Sequence, residues 1–122
     1  MIEAAPPSPN ERLRSAQTVF IRSKSVYFKT AALEQALLNR EEFQDWDLVI
    51  TRDETDADLI IEINRKSLTN IFIYSVLDPR ARRVLAGGKI GSLGGSVEGQ
   101  IADSFIKKLR RARAAASSAN AK

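Results

Sequence analysis

The sequence predicts an α+β domain: a two-layer sandwich of one mixed sheet, about five strands wide, with two helices on one face. Short β-branched and aromatic runs recur between residues 18 and 90, each bounded by polar or Pro-containing turns. Apolar residues at helical spacing follow Thr30 and Ser96. The first helix falls between single strands and the later strands follow one another directly, which suggests a crossover followed by a meander in the order β-α-β-β-β-β-α. At 122 residues, 43% hydrophobic and 28% charged, the chain suffices for one core and has an ordinary globular composition.

Residues 1–16 contain Pro6, Pro7, Pro9, Ser8 and Asn10 without apolar periodicity, and are expected to form a flexible leader. Glu3 directly after Met1 and Ile2, with no apolar stretch behind it, does not fit an export signal; a chain whose signal peptide has been removed would start in this way, and so would an ordinary ragged N-terminus. The domain is expected over residues 17–113. Thr18 to Arg22 is a β-branched and aromatic run, hence a strand. Thr30 suits a helix cap, followed by Leu33, Ala36, Leu37, Arg40 and Phe43 on one stripe, with Glu34, Glu41 and Glu42 toward water and Trp46 closing the helix. Leu48, Val49 and Ile50 make a second strand, and after the acidic turn from Arg52 to Asp56 a third spans Asp58 to Asn64. A fourth, Ile71 to Leu77, turns at Asp78-Pro79-Arg80-Ala81, where Pro fits the second position of a type I turn, and residues 82–90 return. Ser96 caps a last helix with Val97, Ile101, Phe105 and Leu109 in one stripe and Ala102 and Ile106 beside it. The Ala- and Ser-rich residues 114–122 are expected to be a disordered tail.

Strict alternation assigns Val19, Ile21, Leu59, Ile61, Ile63, Ile71, Ile73 and Leu77 to one sheet face. Phe20, Arg22, Ile60, Glu62, Phe72, Tyr74 and Val76 fall on the other. Both sets are largely apolar, yet two helices cover one face, and an exposed apolar face marks an interface. Phe20, Arg22, Phe72 and Tyr74 are therefore the candidate binding residues, facing another protein or a second copy of the chain in a homodimer. The alternative is that the leader, the turns or a bend of the sheet covers them.

Composition removes much familiar chemistry. With no Cys and no His, the chain has no disulfide, thiolate nucleophile or zinc-thiolate site, and no triad of the Ser-His-Asp kind. The expectation is a noncatalytic domain without cofactor or metal. Asp53, Glu54, Asp56 and Asp58 lack the spacing and central Gly of a calcium loop and read as a solvated turn. The Gly-rich run from Gly87 to Ser96 precedes a helix, but Lys89 is followed by Ile90, where a Walker loop needs Ser or Thr. It reads as a strand end with bulges and a loop. No apolar run is long enough to span a bilayer.

Charge is uneven along the chain. Residues 34–62 carry ten acidic and two basic side chains, net −8, and residues 79–122 carry ten basic and two acidic, net +8, within a total of +4. Lys107, Lys108, Arg110, Arg111 and Arg113 complement the dipole at a helix C-terminus. The acidic and basic segments can meet within one chain or between chains. Val19-Phe20-Ile21-Arg22-Ser23 also looks like the first strand of an RNA-recognition sheet, in which Phe72 and Tyr74 would share the stacking face. That family's Arg-Gly-aromatic signature is absent and its last element is a strand, so nucleic acid stands as the alternative partner.

The Val-Phe-Ile first strand, the helix with Leu33, Leu37 and Leu38, Leu48-Val49-Ile50 and the Ala57-Asp58-Leu59-Ile60-Ile61 step carry a family likeness, together with Asp78 and Val84-Leu85 on a hairpin and the closing helix into Lys107 to Arg113. Over residues 17–113 the chain resembles uncharacterised exported bacterial α+β domains and, more loosely, the amino-terminal domain of TolB-type envelope proteins. The resemblance implies the cell envelope or periplasm and an accessory, protein-binding role, with no catalytic signature to carry over.

Overall fold

The computed structural model describes residues 8–26, 28–66, 69, 71–91 and 96–120, with side chains as far as Ala114. Regular structure begins inside the expected leader. Helix α1 spans Pro9–Ser15; the Ser8 hydroxyl accepts from the Glu11 amide at 3.2 Å, and Pro9 stands at the first turn, where a missing N–H costs nothing. Leu13 and Ala16 are buried in the core and Arg12 is buried beside them. The leader expectation therefore fails over residues 8–16. A helix of two turns that buries so few apolar side chains leaves no periodicity to read, and the Ser-Pro start was its legible signal.

The remaining elements are β1 (Thr18–Ser23), α2 (Thr30–Leu38), α3 (Glu41–Asp45), β2 (Val49–Ile50), a 3-10 turn at Glu54–Asp56, β3 (Leu59–Arg65), β4 (Ile71–Asp78), β5 (Arg83–Gly91) and α4 (Val97–Asn120). The expected single helix from Thr30 divides at Asn39 and Arg40 into α2 and α3, and its cap position is Lys29, which makes no side-chain cap bond. The described residues thus hold four helices rather than two. The expected disordered tail is helical as far as Asn120, since the alanines after Arg113 favour continuation of α4.

One mixed sheet runs in the order β2-β1-β3-β4-β5. Strand β1 is parallel to both β2 and β3, while β3, β4 and β5 form an antiparallel meander. The α+β class and the mixed sheet of five strands are as the sequence predicts. Helices α1, α2 and α4 pack together on one side of the sheet, with α4 touching both of the others. Beneath them Val19, Ile21, Leu59, Ile61, Ile63, Phe72, Tyr74 and Val76 meet Leu33, Leu37, Ile101, Phe105, Ile106 and Leu109. Each such side chain taken from water contributes roughly 1.5–3 kcal/mol, so this layer is what holds the sheet to the helices. At its edge, the Arg113 guanidinium lies 4.6 Å from the centroid of the Trp46 ring.

The register corrects the expected faces. Ile63 pairs with Tyr74, Ile61 with Val76 and Arg65 with Phe72. Cross-strand partners share a face, so Phe72, Tyr74 and Val76 belong with Ile61 and Ile63 under the helices, while Ile73 and Leu77 turn to the other side. A strand's period is two, and a phase taken wrong by one residue exchanges its whole set of side chains between faces.

Candidate binding surface on the open sheet face

The side of the sheet away from the helices presents Phe20 from β1, Ile60 from β3, Ile73 and Leu77 from β4 and Val84 from β5. Ile60 is buried, Phe20, Ile73 and Leu77 are half-buried, and Val84 is 63% exposed. This strip is apolar because alternation on each strand supplies β-branched or aromatic residues on both faces, while the helices occupy one.

Charged residues border the strip. Arg22 Nε donates to Glu62 Oε2 at 2.7 Å, the Arg22 guanidinium also bonds Glu54, and Lys24 lies 3.6 Å from Glu62. Lys89 stands opposite Ile73 on β5. Near the β4–β5 turn the surface dips into an open groove of about 480 Å³, with Ile60, Leu77, Pro79 and Val84 as apolar lining and Arg22, Glu54, Asp78, Arg82 and Arg83 around them.

The turn beside this groove is fixed from the other layer. Asp78 is buried; its Oδ1 accepts from the Arg80 amide at 3.1 Å and the Ala81 amide at 3.4 Å, and its Oδ2 accepts from Arg12 Nε at 3.1 Å. Arg83 Nε stands 3.6 Å from the same carboxylate. Burial pushes the Asp78 carboxyl up, but the Ala81 amide, Arg12 and the Arg80 amide together outweigh it and hold the group below the ordinary carboxylate range. The short α1 therefore anchors the end of β4 through an ion pair shielded from water.

Of the four sequence-predicted binding residues, the structure brings two together. Phe20 and Arg22 lie on the open face; Phe72 and Tyr74 are in the core, Tyr74 fully buried with its hydroxyl against that of Ser104 and the Phe72 ring tilted at 52° to that of Phe28 with centroids 5.9 Å apart. The aromatic platform required for base stacking is not assembled, because two of its three rings are under the helices. Sequence alternation placed Ile60 with Phe20 but assigned Ile73 and Leu77 to the core set. Val84 entered only as a hairpin residue of the family likeness, and Arg82 only as the start of the returning strand. Antiparallel pairing of Ile60 with Leu77, and Leu77 with Val84, is what joins them.

The other motifs have structural explanations. Asp53 accepts from the Thr55 amide at 3.0 Å, while Asp58 accepts from the amides of Gln17 at 2.9 Å and Thr18 at 3.2 Å, so two of the four turn carboxylates close backbone turns and a strand start. Gly87 and Gly88 lie within β5, residues 92–95 of the Gly-rich run are outside the described residues, and Ser96 accepts from the Gly99 amide at 3.1 Å as the expected cap. Among the described residues no helix is long and apolar enough to cross a membrane. Comparison with family models, curated proteins and solved structures finds no match to the chain.

Proposed function

We propose that this chain is a noncatalytic binding domain whose open sheet face docks another protein, working in the bacterial cell envelope. The observation that carries the reading is the apolar strip of Phe20, Ile73, Leu77 and Val84, which no described helix shields and which charged side chains border. An apolar centre with a polar rim is the anatomy of a protein interface. The envelope location rests on the likeness to exported bacterial domains and is checked by fractionating the native cells. A photo-crosslinking residue in place of Ile73, compared with one in place of the exposed Arg14 on α1, tests the docking. A discrete adduct formed from the Ile73 position alone, and lost when Leu77→Lys is added, is the expected result. Equal labelling from both positions would sink the reading, and an adduct of twice the chain's mass would make the occupant a second copy.

A further inference from the structure

The groove at the β4–β5 end of the open face narrows the chemistry of its occupant. Its apolar lining comes from Ile60, Leu77, Pro79 and Val84. Its charges are mostly answered within the chain. Arg22 is held by Glu54 and Glu62, and Asp78 by Arg12 and Arg83. Arg82 is different: it is exposed, and its guanidinium makes no hydrogen bond or ion pair with another described residue. The complementary occupant therefore carries an apolar group and one negative charge close together.

Arg82 is also out of place by backbone standards. Its φ is +54°, in the left-handed region that glycine or asparagine occupies at less cost. Asp47, the other such residue among those described, belongs to a type that tolerates this region; arginine does not. An arginine held at a glycine-favouring position beside an apolar groove points to a use for its side chain rather than for its backbone.

We infer that the groove receives the C-terminal residue of a partner polypeptide, its apolar side chain against Leu77 and Val84 and its main-chain carboxylate on the Arg82 guanidinium, an inference that rests on the docking reading above. An internal Asp or Glu carries its charge on the side chain and offers no apolar group from the same Cα. A C-terminal Leu, Ile, Val or Phe supplies both. Arginine meets a carboxylate through two parallel N–H donors, which fixes the direction from which the chain end enters.

The test is a titration of the isotope-labelled full chain, followed by amide resonances, with three probes: an N-acetylated tripeptide ending in leucine with a free carboxylate, the same peptide as its C-terminal amide, and octanoate. The free acid is expected to shift Ile60, Leu77 and Val84 saturably and the amide to bind about tenfold more weakly. Arg82→Gly should lose about tenfold in affinity for the acid while its Tm stays level or rises, since glycine relieves the backbone; Arg82→Lys should keep part of the affinity. Equal binding of acid and amide, unchanged affinity in Arg82→Gly, or no saturable shift overturns the inference, and octanoate binding more tightly than the peptide would reassign the groove to lipid carboxylates. Failure of every probe alongside an intact Ile73 cross-link removes the C-terminal assignment and leaves the docking reading standing; failure of both removes the two together.

Discussion

Asp78 shows how a single buried carboxylate joins the two layers. It terminates β4, closes the following turn through two backbone amides and receives Arg12 from α1. Removing one member of a shielded ion pair leaves the other charge without its partner, so Asp78→Ala is expected to lower stability by about 3 kcal/mol in urea denaturation at neutral pH. The group's folded pKa lies below its ordinary 3.8, so its contribution is complete above that value and is lost as the pH falls through the lower folded one. The stability gap between wild type and Asp78→Ala should accordingly close in acid below about pH 4. Gly88 is constrained by space: a Cβ there would stand 2.9 Å from Cε1 of Tyr74, whose ring is fully buried and whose hydroxyl meets Ser104. Gly88→Ala should cost about 1–3 kcal/mol, read as a lower denaturation midpoint with an unchanged slope.

At the scale of elements, the alternation of β4 divides a core face from an open face. Phe72, Tyr74 and Val76 point under the helices, and Ile73 and Leu77 point away. A charge on the covered side is expected to unfold the domain, whereas one on the open side meets water. Val76→Lys should therefore cost more than about 4 kcal/mol, and Ile73→Lys no more than about 0.5 kcal/mol, as measured by circular dichroism melts of the two variants. The reverse order would mean that Ile73, and not Val76, lies under the helices. The long edge strand β5 is guarded against unplanned pairing by a bulge opposite Val76 and Leu77 and by Lys89, two devices that discourage another strand from adding there.

For the whole molecule, part of the uneven charge of the sequence is paired within the fold. Glu42 of the acidic segment meets Arg110 of the basic one, and Asp58 meets Arg80 at 3.4 Å. In the opposite sense, Arg40 reaches Asp103 at 3.0 Å. An acid and a base paired inside one chain no longer attract a second copy, so the sedimentation coefficient is expected to be the same at about 0.05 and 0.5 M salt. A strongly salt-dependent association would instead show that the two segments also pair between chains. The apolar open face and Arg82 remain as the features on which the proposed docking rests.

How much of this was legible in the sequence depends on the range of the interactions involved. Local signals sufficed for the α+β class, the β-branched strands, the turn at Asp78-Pro79, the Ser96 cap and the apolar stripe of α4, because propensity, capping and periodicity act within a few residues. They sufficed also for Phe20, Arg22 and Ile60 as members of one face. They did not suffice for α1, whose two turns earn their stability from Asp78 and α4 rather than from their own pattern. Nor could they place Phe72 and Tyr74, since the phase of β4 is set by its pairing with β3. The sequence by itself thus determined the α+β class, the strands and the surplus of apolar strand residues. The tertiary structure decided which residues of that surplus face water, and that Arg82 beside them meets no acid among the described residues, because pairing register and charge pairing join residues far apart in the chain.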